Sequence, residues 1–152
     1  MMIHLTLDLL KYYNMLMTKV LVVDDSEFFR EIYQTALTQG GFEVETAENG
    51  QDAMDKMLAS PPHLIFLDLV MPVMTGEEVL AEKQKHEELK NIPVVMLTSI
   101  AADVKGAEVM KAGPIVAYFT KDKTSTTDII NKAKEVLGTS EQRFEPTKIE
   151  SM

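Results

Sequence analysis

The 152-residue chain has no cysteine and no tryptophan, and aromatic residues make up only 7% of it. Without thiols there are no disulfides, no thiolate metal sites and no cysteine nucleophile, and the absence fits a reducing, cytoplasmic compartment. Basic residues are also scarce, with 15 Lys and Arg against 24 Asp and Glu and a formal charge of −9. Such a balance argues against nonspecific binding to a nucleic-acid backbone, which needs basic patches. No apolar run reaches the ~20 residues of a membrane span. Nor does the start show the basic opening, long apolar stretch and small-residue cleavage site of a signal peptide. What remains is ordinary for a globular domain, with 45% hydrophobic and 26% charged residues in a length that suits a single core.

The stretch His63–Gly76, HLIFLDLVMPVMTG, organises the rest. Leu64–Leu67 form a continuous apolar run, as a strand covered on both faces requires. The run ends in Asp68, and a loop punctuated by Pro72 and Gly76 leads into a charged helical stretch. An acid at the carboxyl end of a buried parallel strand lies where open α/β sheets place their chemistry. Taken alone, Asp68 reads equally well as a helix N-cap or loop acid.

Further pattern surrounds it. Val20–Val23 is a β-branched run that ends in Asp24-Asp25. Ser26 can cap a helix over Glu27–Gln39, whose apolar face is Phe29, Ile32, Tyr33, Ala36 and Leu37 and which Gly40-Gly41 end. Phe42–Thr46 alternates as an exposed edge strand should. A second helix runs to about Ala59 and stops at Ser60-Pro61-Pro62. Glu77–Leu89 predicts a third helix, Ile92–Leu97 a fourth strand, and Ala101–Ala112 a fourth helix closed by Gly113-Pro114. Ile115–Phe119 predicts strand five, followed by Lys121, and Ser125–Leu137 the last helix. Strands alternating with helices at this spacing imply an α/β fold, a doubly wound parallel sheet with right-handed crossovers. Three segments are expected: an extension over 1–18, one domain over 19–138, and a polar tail over 139–152. In the extension, Ile3, Leu5, Leu7 and Leu9 alternate as in a strand, yet His4, Asp8 and Lys11 also form one helical stripe. Periodicity does not decide between them. A docking or dimerising helix is one reading of this segment, and an appendage another.

Parallel strands end on a common edge, so Asp24, Asp25, Asp68, Thr98 and Lys121 can converge there. Two like charges 4 Å apart cost about 4 kcal/mol at an effective dielectric near 20. Three clustered carboxylates must therefore protonate, recruit Lys121, or hold a divalent cation. Oxygen donors without nearby His or Cys favour Mg²⁺. A cation and an amine around one carboxylate meet the needs of phosphoryl transfer to that carboxylate, since charge on the transferring group is neutralised from two sides.

From Lys19 to Gly138 the chain resembles the receiver domains of two-component response regulators, through LVVDDS, AENGQDA, DLVMPVMTG, PVVMLTS and YFTK in that order. The resemblance implies a flavodoxin-like, five-stranded sheet of order 2-1-3-4-5 with five helices. It implies that Asp68 accepts a phosphoryl group from a histidine kinase or histidine phosphotransfer protein. It further implies that Asp25, Asp68 and the Val70 backbone carbonyl ligate Mg²⁺, with Asp24 acting mainly through metal-bound water. Lys121 would pair with phosphoryl oxygens, Thr98 would donate its hydroxyl, and Tyr118 would swing inward behind it. Thr98 and Tyr118 would thus relay the change to a protein-binding face built from helix four, strand five and helix five. A homodimer is left open.

Val70, two residues after Asp68, and Ile100, two after Thr98, are apolar and cannot orient an attacking water, so autodephosphorylation is expected to be slow. Two departures stand out: Asp122 occupies the place where the family usually has Pro, and about one extra residue lies between Gly113 and Lys121. The first could weaken the pairing of Lys121 with phosphate; the second could make helix four end unusually. The module is expected to stand alone, without a DNA-binding or catalytic output domain, and not to be an enzyme; a piece of a longer regulator, with the tail as the start of a linker, is a close variant. A pseudo-receiver scaffold with muted switching is the nearest alternative. A metal-dependent aspartyl-phosphate phosphatase is further off, because such enzymes of the haloacid dehalogenase type carry a second acid where Val70 stands. A flavodoxin-like cofactor binder would need a Ser/Thr/Gly-rich loop in place of Asp24-Asp25.

Overall fold

The computed structural model describes residues 6–10, 13 and 17–138. Five strands, β1 (Lys19–Val23), β2 (Glu43–Ala47), β3 (Leu64–Leu67), β4 (Val94–Thr98) and β5 (Ile115–Thr120), pair in parallel in the order β2-β1-β3-β4-β5. Between and after them lie α1 (Glu27–Gln39), α2 (Gly50–Ala59), α3 (Gly76–Lys83), α4 (Ala102–Val109) and α5 (Thr126–Leu137). This is the flavodoxin-like arrangement expected from the sequence.

The alternation of side chains along each strand divides the core in two. Val20, Val22, Leu64, Phe66, Val95 and Leu97 face Tyr33 and Leu37 of α1 and Ile129 and Ala133 of α5. Leu21, Val23, Ile65, Leu67, Val94 and Met96 face Met54 and Met57 of α2, Val79 and Leu80 of α3 and Val109 of α4. With a period of two, the central strands need apolar residues at every position, and β3 and β4 are buried throughout. Edge strand β2 is exposed at Glu43 and only partly buried over its middle, which explains its alternating sequence. Burying one such aliphatic or aromatic side chain contributes roughly 1.5–3 kcal/mol, so the sheet and its two helix layers stand or fall together.

Helix starts follow local chemistry. Ser26 accepts the Phe29 N–H, Asn49 the Asp52 N–H, and reciprocal capping boxes join Thr75 to Glu78 and Ser125 to Asp128. At the end of α1, Gly41 takes φ 99°, a conformation cheap only for glycine. Gly76 is required differently: a Cβ there would collide with the Asp68 carbonyl oxygen.

Some boundaries differ from expectation. Helix three ends at Lys83 rather than Leu89, because Leu89 turns into the core and Lys83 donates from its amine to the Lys90 carbonyl at 3.1 Å, closing the turn. Helix four spans Ala102–Val109, a turn shorter than predicted. The extra residue before Lys121 is absorbed in β5: Val94 pairs with Ile115 and Val95 with Ala117, leaving Val116 as an exposed bulge. Residues 6–10 and 13 are helical rather than extended, with Leu7 buried and Leu9 and Tyr13 exposed. The tail expected over 139–152 lies outside the described residues. Among the described residues, no helix is long and apolar enough to cross a membrane.

Candidate functional site

Parallel pairing carries one residue past the strands and sets the acids in place. The Asp24 N–H donates to the Ala47 carbonyl at 3.1 Å and the Asp68 N–H to the Val23 carbonyl at 3.0 Å. Asp24 and Asp68 thus leave neighbouring strands at the same level, 2% and 5% exposed. Asp25 is exposed beside them. One carboxylate oxygen from each of the three lies within 4.8 Å of the others. Thr98, fully buried, ends β4 on the same edge.

Lys121 reaches back from the turn after β5. Its amine lies 2.5 Å from Asp24 Oδ2 and 3.0 Å from Asp68 Oδ2, with the Lys121 side chain only 7% exposed. It also stands 4.3 Å from the centroid of the Phe29 ring. Asp24 Oδ1 accepts the Ser26 N–H at 2.9 Å, and Asp68 Oδ1 the Val70 N–H at 3.4 Å. Burial pushes the Asp24 carboxyl above the usual carboxylate range, outweighing the opposing pull of the Lys121 amine and the Ser26 N–H, and the Asp68 charge adds to the rise. Asp122 is exposed, while the ion pairs of Lys121 go to Asp24 and Asp68, so its substitution for Pro does not divert the amine.

The backbone of Ile100 joins the two residues expected to switch. Its N–H is directed at Thr98 Oγ1 at 3.4 Å, and its carbonyl accepts from the Tyr118 hydroxyl at 2.7 Å. Tyr118 is partly buried against the core, and that burial, with the Asp68 charge, raises its phenol. Val70 is 60% exposed and lines a cleft of about 360 Å³ above Asp68, which Asp25, Thr98 and Lys121 also line. Ile100 packs instead against the core.

Two residues at the site were not singled out from the sequence. Phe29 was assigned to the apolar face of α1, yet its ring lines the same cleft. Arg30 donates from Nη1 to the Asp24 backbone carbonyl at 2.8 Å and buttresses the β1–α1 turn. Their place in the first turn of a helix that starts at the acidic edge was the available signal.

The model of the response regulator receiver domain family matches residues 20–134 of this chain. The chain belongs to that family. Among its relatives, the protein-glutamate methylesterase/protein-glutamine glutaminase of Halobacterium salinarum is 35% identical over 127 residues, covering 83% of this chain and 36% of the relative. Response regulator RR06 of Streptococcus pneumoniae is 40% identical over 91 residues, covering 59% of this chain and 40% of its own length. This receiver therefore spans well under half of either relative. The solved chemotaxis response regulator CheY4 of Vibrio cholerae superposes with a TM-score of 0.73 at 32% identity, covering 80% of this chain and 99% of that one. As a family member, the chain is a receiver module of two-component signalling, and its acidic edge has the composition of a metal site.

The donor set fits Mg²⁺. It is oxygen-only, clustered and multiply anionic, and exposed Asp25 leaves a side open to solvent, as a cation that keeps several of its waters requires.

Proposed function

We propose that residues 19–138 act as a phosphoacceptor in which Asp68 takes a phosphoryl group from a phosphohistidine on a kinase or phosphotransfer protein. Residues 1–18 and 139–152 flank the module. The observation that carries this reading is the Lys121 amine held 3.0 Å from Asp68 Oδ2 inside a three-carboxylate cluster. An Asp68 oxygen attacks phosphorus in line as the P–N bond to the donor imidazole breaks, and its electron pair returns to that nitrogen. An acyl phosphate on Asp68 results. Asp24, Asp25, Asp68 and the Val70 carbonyl are the residues that would hold Mg²⁺, which when bound neutralises charge on the transferring oxygens.

Lys121 supplies the second positive charge, and the Thr98 hydroxyl a donor. A charge-assisted hydrogen bond contributes about 1.5–3 kcal/mol, and inverting a 1:10 population takes about 2.7 kcal/mol. Turning Thr98 toward the phosphoryl group would take its oxygen from the N–H of Ile100, the residue whose carbonyl holds Tyr118. The change would pass to the face of α4, β5 and α5, where a downstream protein docks. Val70 on the cleft wall and Ile100 behind it offer no polar group to aim water, so the phospho-form should persist well beyond seconds. The chain turns over no substrate in this reading, and its acidic surface leaves output to protein contact rather than direct nucleic-acid binding.

Intact mass after incubation with acetyl phosphate and Mg²⁺ tests the proposal. The parent should gain one phosphoryl group and Asp68→Asn none. An unmodified parent, or equal gain by Asp68→Asn, would overturn it, and in the first case a non-phosphorylated scaffold becomes the working reading.

A further inference from the structure

The amine of Lys121 has three neighbours of two kinds. Two are the carboxylates of Asp24 and Asp68, and both belong to the cluster that could hold a cation. The third is the face of Phe29, 4.3 Å away at the ring centroid. A divalent ion entering the cluster would draw on the same two carboxylates that now hold the amine. It cannot compete for a phenyl face. Electrostatic attraction between an ammonium and the ring quadrupole strengthens when the pair is desolvated, and the Lys121 side chain is only 7% exposed.

The ring is itself held in place. Phe29 stacks on Tyr33, four residues on, with centroids 5.6 Å apart and planes 16° from parallel. Phe28 packs against it in an edge-to-face arrangement, with centroids 5.4 Å apart and planes at 70°. Tyr33 is 5% exposed and lies in the core between the sheet, α1 and α5. The Ser26 cap takes the Phe29 N–H, so the ring is tied to the same turn that presents Asp24 and Asp25. An aliphatic side chain there could fill the space but would offer the amine no negative face.

We propose that Phe29 is a positioning residue for Lys121, keeping the ammonium beside Asp68 when a cation takes the carboxylates. This rests on the phosphoacceptor reading for its consequence, though the contact itself can be tested without phosphorylation. The ring acts through Lys121 and touches no reacting atom.

The first measurement is the NMR shift of the Lys121 ε-methylene protons in the full chain, with and without Mg²⁺ as the only added ligand. Ring current should move them upfield in both states; in Phe29→Leu the displacement should vanish, and in Phe29→Tyr it should survive. Loss of the displacement in the parent on adding Mg²⁺ would overturn the proposal without recourse to any variant. The second measurement is the rate of Asp68 phosphorylation by acetyl phosphate at saturating Mg²⁺. Phe29→Leu should slow it roughly threefold to thirtyfold, the range of a partly to fully desolvated cation–π contact, and Phe29→Tyr should restore it. In a Lys121→Met background, Phe29→Leu should add no further loss. An equal loss in both backgrounds would mean that Phe29 only shapes the fold. A parent that never takes a phosphoryl group would refute the function proposed for Asp68, while the proton shifts would still decide whether the ring holds the amine.

Discussion

Lys121 and Lys83 are both almost wholly buried, at opposite edges of one sheet, and they have different company. Lys121, at the carboxyl edge, has two carboxylates and an aromatic face. Lys83 ends α3, ahead of the amino end of β4; it is 0% exposed, and its amine donates to the Lys90 carbonyl. Burial alone drives the Lys83 ammonium down to about 8 from its usual 10.5. A buried amine among carboxylates is set up for chemistry on anions. One beside a neutral carbonyl closes a turn and imposes a pH-dependent cost.

The largest effect expected from breaking this contrast is on phosphorylation. Lys121→Met should lower the initial rate of phosphoryl uptake from acetyl phosphate about 100-fold, the scale for losing one well-placed charge donor. Lys83→Met should leave the rate within about twofold. Comparable losses in both variants would show that burial of any lysine, rather than its partners, governs the rate.

Stability as a function of pH reverses the roles. The folded-state pKa of Lys83 lies below its unfolded value, so the folded chain binds fewer protons between about pH 8 and 10.5. The contribution of Lys83 should therefore make the fold more stable as pH rises through that window, by on the order of a few kcal/mol. Denaturant melts of the parent against Lys83→Met should show the variant ahead at pH 7 and its advantage shrinking by pH 10.5. An unchanged gap would mean that Lys83 is not burying a charge.

Asp24 gives the corresponding test at the carboxyl edge. Its folded-state pKa is raised, chiefly by burial, so its contribution falls as pH climbs through the range above 3.8. Asp24→Asn should stabilise the metal-free protein at pH 7, because Lys121 keeps Asp68 and the amide oxygen can still accept the Ser26 N–H. The same change should weaken Mg²⁺ binding in a calorimetric titration. A less stable variant would show that the ion pair outweighs desolvation.

The smallest effect concerns backbone strain near the acceptor. Val73, in the β3–α3 loop, has φ 69° and is 78% exposed. A β-branched residue is poorly suited to that region, whereas Asn tolerates it. Val73→Asn should raise the melting temperature slightly, by about 0.5 kcal/mol of stability. A lower melting temperature would indicate that the valine makes a contact that compensates the strain.

Much of this arrangement was legible residue by residue. The apolar run Leu64–Leu67 suits a covered strand, and it is one to the residue. The Asp24, Asp68 and Lys121 convergence followed from parallel topology, because strand ends share an edge whatever their separation along the chain. Helix ends were less legible. Propensity continues past Lys83, but the burial of Leu89 and the Lys83 bond to the Lys90 carbonyl close the turn there, and both are long-range facts. The bulge at Val116 was visible as one residue too many, yet its place required the register with β4. Phe29 reads as one more member of an amphipathic stripe, since periodicity reports which face is apolar and not what that face meets.

By itself, then, the amino-acid order determined where strands and helices alternate, which residues fill the sheet's two faces, and which acids reach its carboxyl edge. Those are consequences of periodicities of two and 3.6 and of chain connectivity. The tertiary structure alone decided that one buried amine meets carboxylates and a ring while another meets a lone carbonyl. Charges, ring faces and carbonyls act over a few ångströms, and only packing brings residues distant along the chain within that reach.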